Sequence, residues 1–434
     1  MGMTGKAKNG RFWLSLVIFC LTGQVAWTVE NMYFNVFIYK MFHASAEAIS
    51  VMVAASAIAA TVTTLLVGAL SDKIGKRKIF ICGGYILWGI SIWSFTLIRM
   101  DVIHALFPAA VSAASVGVSL VIIMDCVMTF FGSSANDACF NAWLTDVTEE
   151  ANRGKVEGIN AMMPLVSILV VFGSFMGFDL NLPGSWVTIF NIIGIVVIAI
   201  GVAGIFLIEE KTVKAEGNQS YFGNILYGFR PKVVRSNKML YFTLAALAVF
   251  NISIQVFMPY LILYYTVTLG MDNYVLIFAP AIILAAAFTG LYGKVYDRRG
   301  FGFAIVPTLT LLTLGYVGLY LFRSTVPVFL ASLLMMCGFL GTGAVIGAKV
   351  RTHTPPNKSG MFQGLRIVAQ VLIPSVVGPA IGAKVLAHAD TVLNDDGTTS
   401  FIPNANIFLA ALVVSLFVWV VMLPLYKKEK QYAK

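Results

Sequence analysis

Residues 68–78 read Gly-Ala-Leu-Ser-Asp-Lys-Ile-Gly-Lys-Arg-Lys and separate two long apolar runs. The two glycines permit a tight turn and a close approach of the flanking helices. Asp72 can cap a helix and pair with a cation, while the basic residues Lys76, Arg77 and Lys78 stay in water on one side of a bilayer. The stretch therefore predicts a short hydrophilic turn between two membrane-spanning helices.

The composition agrees with a membrane protein. Of the 434 residues, 59% are hydrophobic and 12% are charged, about half the charged share of a soluble domain. A helix needs ~20 apolar residues to cross the hydrocarbon core. We predict an all-α membrane protein with twelve membrane-spanning helices and no cleavable leader. The predicted spans are 12–39, 48–70, 79–98, 117–145, 157–179, 185–208, 239–267, 273–293, 303–322, 326–348, 361–387 and 405–426.

The net charge of +10 reflects orientation and not a nucleic-acid partner. If the N-terminus lies in the cytosol, 25 of the 30 Lys and Arg residues fall on the cytoplasmic side. This asymmetry predicts a multi-pass protein of the cell inner (plasma) membrane with both termini cytoplasmic. The five cysteines lie in apolar spans at unrelated spacings, so we expect neither disulfides nor a metal site.

The second half of the chain repeats features of the first. Gly293 and Asp297 reproduce the spacing of Gly68 and Asp72 after 225 residues. This repetition indicates two parallel six-helix halves with a substrate site between them near the middle of the membrane. We predict an N-terminal bundle over 1–208, a cytoplasmic linker over 209–238 and a C-terminal bundle over 239–434.

One region fits this scheme poorly. Residues 101–116 exceed what a loop before the fourth span requires, and they contain Pro108 and many small residues. Either an external insertion or a re-entrant segment accounts for them.

Three carboxylates lie inside predicted spans, where a charge costs about 2.5–3.5 kcal/mol and therefore suggests a function. They are Glu30 in the first span and Asp125 and Asp137 in the fourth. Ser133, Asp137 and Asn141 follow each other at helical spacing and form one polar stripe. Asp125 lies about 120° around the same helix, nearer its outer end, where it can face water. We predict Asp137, Glu30 and Asp125 as the proton-coupling candidates.

Further polar residues suggest a binding site for a hydroxylated solute. Trp27, Asn31 and Tyr33 accompany Glu30 in the first span. Aromatic rings stack on apolar sugar faces while amides and carboxylates bind hydroxyls. The C-terminal half offers three more candidates, Asn251, Gln255 and Arg366. Arg366 can pair with a carboxylate of the first or fourth span, or extend to the cytoplasmic surface.

The stretch at 68–78 resembles the cytoplasmic signature of the major facilitator superfamily, whose pattern is Gly-x-Leu-[Ser/Ala]-Asp-[Arg/Lys]-x-Gly followed by three basic residues. The resemblance implies a secondary transporter with twelve spans. It also implies that Asp72 and Arg77, with Asp297 and Arg298 in the second half, stabilise a closed state and act in gating without touching substrate.

A second resemblance rests on residues 136–154, which are similar to the fourth and fifth spans of the glycoside–pentoside–hexuronide cation symporters, the group that includes melibiose permease and sucrose transporters. It implies that Asp137 binds both sugar and coupling cation and that Glu30 occupies a sugar-binding position. The matching positions are Asp137, Phe140, Trp143, Asp146 and Arg153.

The second span departs from the sodium-coupled members of that group. They carry aspartates where this chain has Ala60 and Thr64. Sodium needs several hard oxygen ligands, whereas a proton needs one titratable carboxylate. The sequence therefore favours proton coupling through Asp137 or Glu30, or no coupling.

These observations predict a transporter without enzymatic activity and without a cofactor, working as a monomer on a small-molecule substrate. We expect proton-coupled import of a sugar, glycoside or small oligosaccharide. The alternative is a proton-coupled exporter of drugs or organic solutes, whose site would be more apolar. The short loops argue against a membrane sensor, and no nucleophile–base arrangement supports a membrane enzyme.

Overall fold

The computed structural model describes residues 2–148, 152–209, 226–354, 359–394 and 397–432. Within these ranges, eleven continuous helices have the length and hydropathy to cross a membrane. The longest, Val275–Leu321, spans 47 residues and contains Gly300 with a non-helical φ of 75° and ψ of 176°. Gly300 divides that helix into two spans, so the predicted twelve-helix, all-α membrane fold is confirmed.

Helices dominate because hydrocarbon offers no water to the backbone, whose N–H and C=O groups must be paired within the chain. We number the spanning helices in chain order. They are α1 (Gly2–Phe42), α2 (Ala46–Ile74), α3 (Arg77–Leu97), α4 (Ala113–Val147), α5 (Arg153–Phe175), α6 (Pro183–Leu207), α7 (Lys238–Thr268), α8 and α9 (the parts of Val275–Leu321 before and after Gly300), α10 (Thr325–His353), α11 (Ser359–Leu386) and α12 (Asn406–Tyr432).

Two connections contain structure that hydropathy does not reveal. Residues 101–116 contribute to a short helix, Met100–Leu106, and to the first turn of α4, where the Ser112 hydroxyl accepts a hydrogen bond from the Ser115 N–H. Between α11 and α12, the strands Thr391–Leu393 and Thr399–Phe401 pair antiparallel. Both elements are too short for a periodicity to be recognised in the sequence.

The backbone supports the repeat between the two halves. Gly75 ends the turn after α2 with a φ of 71°, and Gly300 takes a φ of 75° at the α8–α9 junction. The two glycines are 225 residues apart, as are Asp72 and Asp297. Only glycine adopts this left-handed conformation without steric cost, so both turns depend on it.

The chain forms two compact units. The first contains α1, α3 to α6 and the part of α2 from Ile58 onward. Its core is rich in aromatic rings, with Phe37 5.1 Å from Trp186 and 5.0 Å from Phe190 between ring centroids. These contacts join α1 to α6 within the first unit.

The second unit contains α7 to α12 and the beginning of α2, Ser45–Ala57. The Tyr260 hydroxyl of α7 donates to the Ala46 carbonyl at 2.9 Å and lies 3.2 Å from the Pro379 carbonyl of α11. α9 and α10 pack closely, because Gly315 and Gly338 allow backbone-to-backbone approach.

The α9–α10 contact gives a direct test of this packing. A Cβ atom at Gly338 would overlap the backbone of Leu312, so Gly338→Ala forces the two helices apart. We expect destabilisation by about 1–3 kcal/mol, the usual cost of overpacking. The matched control is Gly347→Ala in the same helix, where a Cβ meets nothing within 4 Å. Thermal unfolding in detergent should separate the two variants, and equal melting temperatures would contradict the packing.

Candidate functional site

The backbone of α4 changes form where its embedded charge lies. After Ala113–Gly132 the helix passes through a π-helical segment, Ser133–Phe140, and then resumes its α-helical course. Such wide turns frequently mark functional sites, because they redirect side chains and loosen the backbone hydrogen bonding. Asp137 lies in the middle of this segment.

Hydrogen bonds hold the Asp137 carboxylate on both sides. The Ser133 hydroxyl donates to Oδ2 at 3.0 Å, and the Asn136 amide donates to Oδ1 at 3.3 Å. The side-chain oxygen of Asn136, Oδ1, in turn accepts a hydrogen bond from the Tyr85 hydroxyl of α3 at 2.9 Å. Asp137 itself is half-buried. The carboxylate is thus oriented by its neighbours, while the residue keeps part of its surface exposed.

Two glycines, Gly23 of α1 and Gly132 of α4, leave space for the side chains around Asp137. A Cβ at Gly23 would come within 2.6 Å of the Asn136 side chain. Gly132 has the same role about one turn before Asn136, because a Cβ there would lie 2.7 Å from the Trp88 ring and 2.9 Å from the Trp27 ring. Only glycine fits at either contact.

Trp27 of α1 and Trp88 of α3 form a pair beside the carboxylate. Their ring centroids are 4.9 Å apart, and the Trp27 indole neighbours Asp137. Neither indole N–H makes a well-aligned hydrogen bond within the described part of the chain. This corner of the first unit therefore combines an oriented carboxylate with two aromatic rings.

A second acidic group lies further along α1 and α4. The Thr129 hydroxyl donates to the Glu30 carboxylate at 3.0 Å, and Glu30 is 7% exposed. Asp125 lies one helical turn from Thr129 and is 2% exposed. The expectation that Asp125 can face water is therefore wrong, because packing within the first unit buries its side chain. Asp125 and Glu30 both lie near Cys126, whereas Asp137 is held by Ser133 and Asn136.

The remaining predicted site residues of α1 and α4 differ in burial: Asn31 and Asn141 are exposed, and Tyr33 is buried. Asn31 is exposed and donates to the Trp27 carbonyl of its own helix at 2.7 Å. Tyr33 is fully buried, with its ring 4.3 Å from Phe175 and 6.1 Å from Phe172 of α5. Tyr33 thus lies in a helix–helix contact and does not join the Trp27–Asp137 group. Asn141 of α4 is exposed and donates to the Asp137 carbonyl at 3.2 Å.

The second unit places its three candidates on α7 and α11. Gln255 donates to the Ser375 hydroxyl at 3.4 Å, and Asn251 donates to a carbonyl of its own helix. Arg366 donates to the Gln370 side chain at 3.2 Å. These two helices also contain π-helical segments, Tyr264–Thr268 and Val368–Leu372. The sequence reasoning did not find any of the three π-helical segments.

The turn after α2 is fixed by ion pairs. Arg77 is 7% exposed, its Nη2 lies 2.5 Å from Asp72 Oδ1, and its Nε donates to Asp146 Oδ2 at 3.1 Å. Arg77 therefore joins the ends of α2, α3 and α4 within the first unit. Gating by these residues stays a prediction.

The repeat in the second unit lacks this linkage. Asp297 and Arg298 are exposed, and no ion pair of either is found among the described residues. The position that corresponds to Arg77 is occupied by Gly302, which has no side chain to join the helices.

Solved transporter structures share this architecture. A mutant form of the nucleoside transporter NupG superposes with a TM-score of 0.73 at 13% identity, covering 94% of this chain and 98% of that one. A D-xylose–proton symporter gives 0.69 at 15% identity, with 94% and 97% covered. The xylose transporter XylE from E. coli, in a partially occluded inward-open conformation, gives 0.67 at 14% identity, with 94% and 98% covered. No curated protein sequence matches the chain.

Residues 12–379 match the family model described as Major Facilitator Superfamily. The match covers most of the chain and includes both the 68–78 turn and the Asp137 segment. The protein is therefore a multi-pass membrane transporter and not an enzyme, and it belongs to the Major Facilitator Superfamily.

Proposed function

We propose that this transporter imports a sugar, glycoside or small oligosaccharide by alternating access and cotransports a proton. The observation that supports this most directly is the Asp137 corner of the first unit. It places a carboxylate held by Ser133 and Asn136 beside the Trp27 ring. A sugar offers apolar faces for the ring and hydroxyls for the carboxylate.

The same corner suggests how a proton couples to substrate. Ser133 and Asn136 both donate to Asp137, so each carboxylate oxygen accepts a hydrogen bond from a neighbouring side chain. A proton on one carboxyl oxygen makes that oxygen a donor, so the hydrogen bond at that oxygen has to rearrange. Binding of a proton and binding of a hydroxylated substrate then change the same few hydrogen bonds.

The finer assignments belong to this proposal. We propose membership of the glycoside–pentoside–hexuronide group, a monomeric state, and a plasma-membrane location with both termini in the cytosol. We also keep the bundles 1–208 and 239–434 and the linker 209–238, although residues 210–225 of that linker lie outside the described residues. Glu30 and Asp125 are proposed as a second proton-binding group, with Asn31, Tyr33, Asn141, Asn251, Gln255 and Arg366 retained as candidate substrate contacts.

A second candidate function is proton-coupled export of organic cations or drugs. The paired Trp27 and Trp88 rings beside Asp137 favour it, since an organic cation is attracted both to an indole face and to a carboxylate. A thermal-shift screen of the purified protein separates the two candidates. It compares mono- and disaccharides, β-glucosides and lipophilic cations.

We expect a sugar or glycoside to raise the melting temperature. At 100 times its dissociation constant a ligand stabilises the folded state by about 2.7 kcal/mol, which a melting curve resolves readily. Stabilisation by lipophilic cations alone would contradict the import of sugars and favour the exporter.

A further inference from the structure

A cavity of about 400 Å³ lies inside the first unit, away from the Asp137 corner. It is enclosed by the last turns of α1, the end of α3 and the beginning of α6. Its lining is mainly aromatic and includes Phe37, Phe42, Phe95, Trp186 and Phe190. The volume is in the range of small-molecule sites, and the walls suit an apolar chain.

One cation lies at the border of this cavity. Arg99 lines it, and its Nη2 lies 3.1 Å from the carboxylate of Asp101, which is 70% exposed. The Nε of Arg99 is buried and finds no acceptor among the described residues. A guanidinium presents five N–H donors, so Asp101 leaves most of them available to a further acceptor. A ligand oxygen can approach the exposed part of this guanidinium, because the Arg99 side chain is 41% exposed.

The surroundings indicate where the ligand comes from. Leu97 and Leu182 adjoin the lining residues in sequence and are 59% and 55% exposed, so this end of the unit presents apolar side chains outward. Exposed apolar side chains at the ends of spanning helices suit contact with lipid. An arginine at the end of a span places its charge at the level of the lipid headgroups.

We propose that this cavity binds one acyl chain of an anionic phospholipid from the surrounding bilayer, with the lipid phosphate on Arg99. The aromatic walls cover the chain, and the guanidinium fork matches a phosphate in geometry and charge. Asp101 competes with a bound anion for Arg99, so a free anion would bind only weakly. A lipid overcomes this competition because its acyl chain and its phosphate bind at the same time. The inference is independent of which solute is transported.

Native mass spectrometry of the full-length protein, loaded with phosphatidylglycerol, tests the site without any transport measurement. Arg99→Gln removes the charge, and we expect lipid retention to fall about five-fold, as for the loss of one basic contact to an anionic lipid. Val187→Phe enlarges a side chain of the cavity wall and should reduce retention independently. Melting curves of both variants show whether each is folded.

The matched control is Arg323→Gln at the end of α9. Arg323 is likewise exposed at a helix end, but it does not line the cavity, and its Nη1 donates to the carbonyls of Leu319, Tyr320 and Phe322. Unchanged retention in this control, with losses in Arg99→Gln and Val187→Phe, supports the site. Equal retention in Arg99→Gln and Arg323→Gln overturns it, as does equal retention of phosphatidylcholine and phosphatidylglycerol by the unaltered protein. A loss in Val187→Phe alone also overturns it, since a neutral chain would then be the occupant.

Discussion

Asp137→Asn should abolish uphill accumulation of substrate while leaving exchange of substrate across the membrane partly intact. Asparagine has nearly the same shape and can still accept a hydrogen bond from Ser133, so the π-helical segment keeps its main side-chain contact. It has no titratable proton and no charge. The substrate contacts therefore survive in part, whereas the coupling to the gradient is lost.

Proteoliposomes with an imposed pH gradient measure both activities. We expect accumulation by the unaltered protein to collapse with a protonophore and to be insensitive to sodium, and the Asp137→Asn protein to reach only the equilibrium level. Asp179→Asn is the matched control, because Asp179 is an exposed carboxylate in the α5–α6 connection. Hydrogen bonds from the backbone and then the side chain of Asn181 lower the pKa of Asp179 below its ordinary value, so it stays ionised at neutral pH.

Two outcomes of the transport assay would contradict this prediction. Normal gradient-driven accumulation in Asp137→Asn would contradict the role of Asp137 and move the coupling to Glu30 and Asp125. Strict sodium dependence would contradict proton coupling itself and show that the missing acids at Ala60 and Thr64 do not exclude a sodium site.

The number and order of the spans could be predicted because a bilayer imposes one length and one polarity on every crossing segment. The predicted span at 185–208 is observed as Pro183–Leu207. The continuous helix Val275–Leu321 was not foreseen, yet Gly300 divides it where the repeat places a turn. The number and bounds of membrane-spanning helices can be predicted from local hydropathy alone.

The candidate site was predictable only to a limited extent. Asp137 was identified because a charge in a span is costly, whatever surrounds it. Tyr85, which donates to Asn136, and Trp88, which packs against Trp27, come from α3. Nothing in their own segment distinguishes them from ordinary aromatic packing residues. The environment of Asp125 was misjudged for the same reason, because helical spacing within α4 does not reveal that neighbouring helices bury that face. One available signal was Gly132 directly before Ser133, since a small residue there admits two tryptophans.

The second large effect is expected for Arg77→Ala, which should lower the stability of the first unit by about 2 kcal/mol and reduce transport. Arg77 is nearly buried and bridges Asp72 and Asp146, while its Nη1 also donates to the Ser71 hydroxyl at 2.5 Å. Removing one partner of a buried ion pair leaves the other charges uncompensated and costs about 3–5 kcal/mol. We expect less here, because the side chains of Asp72 and Asp146 are 44% and 20% exposed and water screens them.

Arg298→Ala in the second repeat is the matched control for Arg77→Ala. Arg298 is an exposed arginine in the corresponding turn, and surface substitutions of this kind change stability by about 0.5 kcal/mol or less. Combining Arg77→Ala with Asp146→Asn should restore some of the lost stability, because the second change removes one of the two uncompensated carboxylates. Thermal unfolding of the four proteins decides the question. If Arg77→Ala and Arg298→Ala melt together, the bridge does not hold the helix ends, and a gating role for the turn would need another physical basis.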